Sequence, residues 1–236
     1  MIPEELEDQF DLATAAIEGG IQDLLGPEKI SLEDVTEIGL THFLIFVLPG
    51  IGIRETEGGY VHYEVDNDAA SLLGGAAQSL PEALDVMVEV CAMNTFVGAP
   101  LPDALRSNAA MLIRGNFPGA KARGARPSKD FVMKFLLRQS ALSVRDVFGL
   151  SLTRNAESEN TLSACDAVSM VVERHGLTVP YRRLSEWCTH ADHQGFRNRA
   201  DAMWNHLLDT FLIKTGALKK SSTPFGPFQE LSRMRG

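Results

Sequence analysis

Long apolar runs are missing from this chain of 236 residues. The longest, Phe43 to Ile53, is interrupted by Pro49, Gly50 and Gly52. It falls well short of the roughly 20 residues that a bilayer-spanning helix needs. Cysteine is scarce: Cys91, Cys165 and Cys188 are odd in number and distant in sequence. That argues against a disulfide framework and for a reducing compartment. Met1-Ile2-Pro3-Glu4-Glu5 is acidic where a secretory leader needs a basic flank. Together these absences predict a soluble, cytoplasmic protein with no membrane partner. Nucleotide loops are missing as well. GxGxxG does not occur, and Gly119 is followed at Walker A distance by Gly124 but then by Ala125, where the motif needs lysine. No Ser-His-Asp order, nucleophile elbow or paired catalytic carboxylates stand out. Neither a cofactor nor a metal is expected, and the reading is non-enzymatic.

Positive charge is the next shortage, and it is local. Residues 1–105 carry only Lys29 and Arg54 against 20 acidic side chains. Residues 106–154 reverse this, with 10 basic and 2 acidic side chains, and 155–236 is nearly balanced, 10 against 9. The net charge of −9 conceals that segregation. A chain so divided points to a charged partner, or to copies of itself. Apolar content of 44% and charged content of 22% are otherwise those of a globular protein.

Helical periodicity dominates what is present. Leu6, Phe10, Ala13 and Ile17 share one face of a helix opened by Pro3, with Gly19-Gly20 as a kink or end. Ser31 and Asp34 predict an N-cap. Phe43 to Val47 reads as the first arm of a small β-hairpin, with the end of a buried helix as the alternative; Tyr60 to Val65 alternates and is the second arm. Helices follow over Ala69 to Gln78, from a Ser79–Glu82 capping box to Thr95, and over Leu101 to Arg114. Further helices run over Phe131 to Gln139, Ser143 to Phe148, Thr161 to His175, Pro180 to Trp187 and Phe196 to Lys214. The fold class is mainly α: a two-lobed helical protein with a small β-hairpin near residues 43–65. Its parts are an acidic lobe with the hairpin (1–114), a basic Gly-rich loop (115–129), a second helical lobe (130–218) and a tail (219–236). A single helical domain with the loop as an insertion is the alternative.

The loop carries the leading functional expectation. Arg114, Lys121, Arg123, Arg126 and Lys129 lie in or beside it, and Lys134 and Arg138 follow at i and i+4 on one helix face. Glycines allow close backbone approach to a polyanion, arginine forks onto phosphates, and Phe117 offers a ring for stacking on a base. The bland alternative is a solvated loop whose charge balances the acidic lobe. Ile113-Arg114-Gly115-Asn116-Phe117-Pro118-Gly119 is similar to the loop of orthobunyavirus nucleoproteins, and the likeness covers only those residues. It implies a helical, two-lobed protein that coats RNA.

Four other constellations are candidates. Cys165 to His175, Gly176 and Pro180 to Trp187 have the outline of a helix-turn-helix bearing Arg182 and Arg183, but Arg182 falls where the motif needs a core residue. Cys188, His190, Asp192 and His193 concentrate metal-ligand types without CxxC or HxxxH spacing. Arg199 and His206 resemble the R-x4-6-H motif of HEPN ribonucleases, although Ala200 stands where those enzymes often place a polar residue. Trp187, Met203, Trp204, Leu207, Leu208, Phe211 and Leu212 form an apolar stripe, read as core. The sequence therefore predicts a self-associating protein that binds single-stranded nucleic acid, RNA favoured, as a coat. An interaction module using the acidic lobe comes second, and a HEPN-like ribonuclease third.

Overall fold

The computed structural model describes residues 4–25, 31–118, 128–154 and 162–208. Within them the chain is mainly α, with ten α-helices and one two-stranded antiparallel sheet.

Helix α1 (Glu4–Leu25) buries Phe10, Ala13, Ile17 and Ile21, the stripe its periodicity predicts, and Gly19-Gly20 does not end it. That stripe packs on α7 (Phe131–Phe148) and α8 (Ala164–Arg174). Helix α2 (Leu32–Glu37) starts at the expected cap: the Asp34 amide donates to Ser31 Oγ at 3.0 Å, and the Ser31 amide donates to the Asp34 carboxylate. Both orphan N–H groups are thereby satisfied.

The apolar run Phe43 to Val47 is a helix, α3 (Leu40–Val47), and not a hairpin arm. Phe43, Leu44, Ile45 and Val47 are all buried, so the segment is apolar on nearly every side and its period is hidden. The sheet instead pairs β1 (Ile51–Glu55) with β2 (Val61–Val65), with Ile51 opposite Val65 and Ile53 opposite Tyr63. Gly50 makes the corner between α3 and β1 at φ +78°, where a Cβ would strike the Asp66 carboxylate. Asp66 in turn caps α4 (Asn67–Ala76), accepting from the Ala69 amide at 2.6 Å.

Helix α5 (Pro81–Val97) has Leu80 as its N-cap and Pro81 in its first turn, so the expected Ser79–Glu82 capping box is not formed. Glu82 is buried and turns to Arg199 instead. Near the other end of α5, Asn94 is fully buried and completes the edge of β2. Its Oδ1 accepts from the Tyr63 amide at 2.8 Å, and its Nδ2 donates to the carbonyls of Tyr63 (2.7 Å) and Pro100 (3.2 Å). One side chain thus replaces the missing third strand.

Helix α6 (Asp103–Ile113) leads to the basic segment, and α7 leaves it. Helix α7 is unbroken through Ser143, where two helices were expected, and is buried around most of its circumference. It touches α1, α2, α3, α8 and α9 (Tyr181–Thr189). An aromatic chain crosses it: Phe43 meets Phe135 edge-on at 6.3 Å, Phe131 stacks on Phe135, and Phe196 and Trp204 close the far side. Phe196 lies on α10 (Gln194–Met203), and Trp204 opens a π-helical turn to Leu208. The buried apolar side chains make one cluster, fed from both sides of the basic segment. The tail expected over 219–236 lies outside the described residues, as do Phe211 and Leu212.

Asn94 generates a sharp expectation. Leaving the Tyr63 amide and two carbonyls buried and unpaired costs about 1–3 kcal/mol per group. Asn94→Ala should lower unfolding stability by about 3 kcal/mol in urea denaturation. Asn94→Asp should rescue little, because a carboxylate supplies no donor to the carbonyls.

Candidate nucleic-acid interface

The basic segment leaves α6 through a reversed corner. Arg114 is the exposed C-cap, Gly115 adopts φ +68°, and the Asn116 amide donates back to the Met111 carbonyl at 2.9 Å. This is the left-handed termination that glycine favours. Phe117 then packs its ring half-buried against the core, so it anchors the start of the segment. Lys121, Arg123 and Arg126 lie outside the described residues. At the other end Lys129 is exposed, and the Phe131 amide donates to the Ser128 carbonyl as α7 begins. Neither Arg114 nor Lys129 has an ion-pair partner among the described residues.

The two helical members of the expected cluster have partners within the chain. Lys134 is 16% exposed; its Nζ lies 2.8 Å from Asp130 and 5.6 Å from the centre of the Trp187 ring. Arg138 is buried, and its guanidinium forks onto Asp201 at 2.7 and 3.2 Å. The i, i+4 spacing does put both on one face, but that face packs towards α9 and α10. Sequence spacing reports which side chains are neighbours and not whether their common face is wet. Asp201, the acid that makes a buried Arg138 tolerable, carried no signal because it is 63 residues away.

Other cations follow the same pattern. Arg199 pairs with Glu82 and lies 5.7 Å from the Phe131 ring centre. Arg154 forks onto Asp166 and stacks on Tyr181 at 4.1 Å. Arg182 bonds Glu186 while remaining 88% exposed, and Arg183 lies over Trp187. Helix-borne positive charge is therefore largely matched locally.

A groove of about 580 Å³ opens beside the end of the basic segment. Glu33, Glu37, Gly39, Lys129, Asp130, Met133 and Leu177 line it. Three carboxylates against one ammonium make it the wrong sign for a phosphate chain. Burial pushes the Asp130 carboxyl up, but hydrogen bonds from Lys134 and Ser128 and the Lys134 charge together outweigh it and hold the group below its usual range.

The remaining candidates separate. Arg199 turns towards α5, while His206 is exposed in the π-helical turn. Around residues 188–193, the His190 Nδ1 accepts from the Asp192 amide and Cys188 points inward. No group of three or more metal-ligand types converges among the described residues. Cys188 instead meets Cys165, Sγ to Sγ 3.9 Å, a contact that sequence distance concealed. On the acidic side of the molecule, Tyr60 and Phe96 meet edge-to-face at 5.5 Å while 54% and 69% exposed. No helix among the described residues is long and apolar enough to cross a membrane. Comparison with family models, curated proteins and solved structures returned no match.

Two expectations follow from the ion pairs. Removing one partner of a buried pair costs about 3–5 kcal/mol, whereas an apolar replacement of similar volume recovers much of it. Asp201 is about half exposed and Arg138 is buried, so loss of the acid strands the guanidinium: Asp201→Ala should destabilise by about 3 kcal/mol in urea denaturation, and Arg138→Met by clearly less. Asp130, with its lowered folded pKa, contributes stability above the ordinary carboxyl range that is lost as pH falls through the folded value. Asp130→Asn should flatten the acid limb of the stability–pH curve below about pH 4.

Proposed function

We propose that the protein binds single-stranded nucleic acid, RNA above all, along the stretch 114–129, and assembles with copies of itself as a coat. The observation that carries this reading is the contrast between two sets of cations. Lys134, Arg138, Arg154 and Arg199 are matched by acids within the fold. Arg114 and Lys129, the ends of a stretch that holds five cations with them included and no acid, are exposed and without an ion pair among the described residues, Lys129 at the rim of the acidic groove. A charge that folding does not use is available to an external polyanion.

Glycines at 115, 119 and 124 permit close approach of the backbone, and the arginines supply forked phosphate contacts. A narrow cationic stretch on an acidic molecule favours a thin strand over a duplex, whose dense charge would meet the acidic surface as well. Self-association follows the same electrostatics. The acidic hairpin end, with Glu55, Glu57 and the exposed Tyr60–Phe96 pair, is a complement for basic surface on a second copy. Closure head to tail would make a ring, and failure to close a filament.

The test is fluorescence anisotropy with a labelled single-stranded RNA across a salt series. Each phosphate contact contributes about 0.7 to the log–log salt slope for single strands. Replacing Arg123 and Arg126 by alanine together should flatten the slope by about 1.4 and weaken binding, whereas Arg182→Ala should leave both unchanged. Absence of binding at low salt overturns the reading. Light scattering coupled to size exclusion should show assemblies that Tyr60→Ala with Phe96→Ala reduces.

A further inference from the structure

Two thiols from neighbouring helices are in contact in the core of the second half of the molecule. Cys165 is the second residue of α8 and is fully buried; Cys188 lies next to last in α9 and is 8% exposed. Their Sγ atoms are 3.9 Å apart. A disulfide bond is about 2.05 Å long, so closure requires the sulfurs to approach by about 2 Å. Arg197, on α10, adds a second observation. It is buried, yet its guanidinium is held only by oxygens that carry no charge: the carbonyls of His190 (2.6 Å) and Trp187 (3.5 Å) and the Gln194 side-chain carbonyl (2.6 Å). No carboxylate pairs with it among the described residues. A buried cation held by neutral acceptors keeps its charge uncompensated and favours an anion in its neighbourhood.

We propose that Cys165 and Cys188 are a peroxide-reactive dithiol, with Cys188 the attacking thiolate and Cys165 the resolving thiol, that closes to a disulfide joining α8 to α9. The two sulfurs are not equivalent. The hydrogen bond from Cys165 favours the Cys188 thiolate; burial opposes it, and Arg138, Arg197 and Arg145 reinforce it, with a net lowering of its pKa. Arg138 and Arg145 also face Asp201 and Asp146, so Arg197 is the cation whose charge is left for the thiolate. Cys165 is held protonated, first by donating to Cys188 and then by burial, with the Asp166 carboxylate adding to both. Cys91 is the internal contrast: burial alone pushes its thiol up to about 11. Reactivity follows thiolate character, so Cys188 should oxidise faster than the similarly buried Cys91.

The step balances as follows. The Cys188 thiolate attacks one oxygen of hydrogen peroxide and the O–O bond breaks. Cys188 becomes a sulfenic acid, and the departing hydroxide takes up a proton as water. The Cys165 sulfur then attacks the Cys188 sulfur; the S–S bond forms, the S–O bond breaks, and the Cys165 proton leaves with the hydroxyl as a second water. The two sulfurs give up two electrons, and one peroxide is reduced to two waters.

The experiment treats the reduced full-length chain with hydrogen peroxide, blocks remaining thiols with iodoacetamide under denaturing conditions, and maps peptides without reductant. The expected product is an intrachain Cys165–Cys188 link, two hydrogens lighter, reversed by dithiothreitol, with Cys91 alkylated. Cys165→Ser should arrest the reaction at a Cys188 sulfenic acid that dimedone traps. Arg197→Gln should slow linkage by about tenfold, the loss of one desolvated cation beside the thiolate. Three results would each overturn the proposal: both thiols still alkylated after peroxide, Cys91 oxidised as fast as Cys188, or links formed only between copies. The wild-type map decides the matter even where a variant folds poorly.

Discussion

The Arg138–Asp201 pair is the interaction on which the arrangement of the second half of the chain turns. Helix α7 runs through the middle of the molecule and is covered by five other helices. A helix in that position is ordinarily apolar all round, and a charge inside it is tolerated only with a partner. Asp201 comes from α10, so burying Arg138 also fixes where α10 must lie. Phe131, Phe135, Phe196 and Trp204 make the apolar part of the same contact. A pair of this kind is a weak source of net stability and a stronger determinant of register, since any other seating of α10 strands a guanidinium in the core.

That principle organises the electrostatics of the whole protein. Lys134 reaches back to Asp130, Arg154 to Asp166 and Arg199 to Glu82. The last of these ties α10 to α5, on opposite sides of the basic segment in sequence. His175, the C-cap of α8, hydrogen-bonds Glu18 of α1 and ties those two helices together. The segregation of charge along the sequence is thus partly undone in space, because acids of the first half are used to hold cations of the second. Among the described residues, Arg114 and Lys129, at the two ends of the stretch between α6 and α7, are exposed cations without an ion-pair partner.

Sequence period made most of the architecture legible, and its failures have one cause. Helices α1, α8 and α9 show apolar stripes with polar backs, Pro81 marks the start of α5, and Gly176 the end of α8. The run in α3 reads as either a hairpin arm or the end of a buried helix, and the structure has the second, because full burial erases the stripe that distinguishes helix from strand. Helix α7 was split at Ser143 because a serine mid-helix resembles a cap when its surroundings are unknown. At the candidate site, composition alone singles out the stretch 114–129, of which 119–127 lie outside the described residues. The fates of Lys134 and Arg138 were not legible, because Asp130, Trp187 and Asp201 complete their environments and only the fold brings all of these together. The Cys165–Cys188 contact was invisible for the same reason: separation along the chain says nothing about two helices that turn back on each other at Gly176.

The cysteine pair and the ion pair are parts of one structure. Arg138 belongs to α7, Arg197 to α10 and Cys188 to α9, so three helices contribute to the environment of one sulfur. Arg138 spends two nitrogens on Asp201, while its Nε is buried without an acceptor. An unsatisfied charged donor in the core is costly, and a thiolate nearby offsets part of that cost electrostatically. Where Cys188 ionises on the proposed route, closing the disulfide discharges it and leaves Arg138 with Asp201 and Arg197 with carbonyls. Oxidation therefore carries an electrostatic penalty that the new covalent bond has to outweigh. The packing of α10 against α7 and α9 is where that penalty falls, because its two buried arginine contacts are the ones that lose the anion.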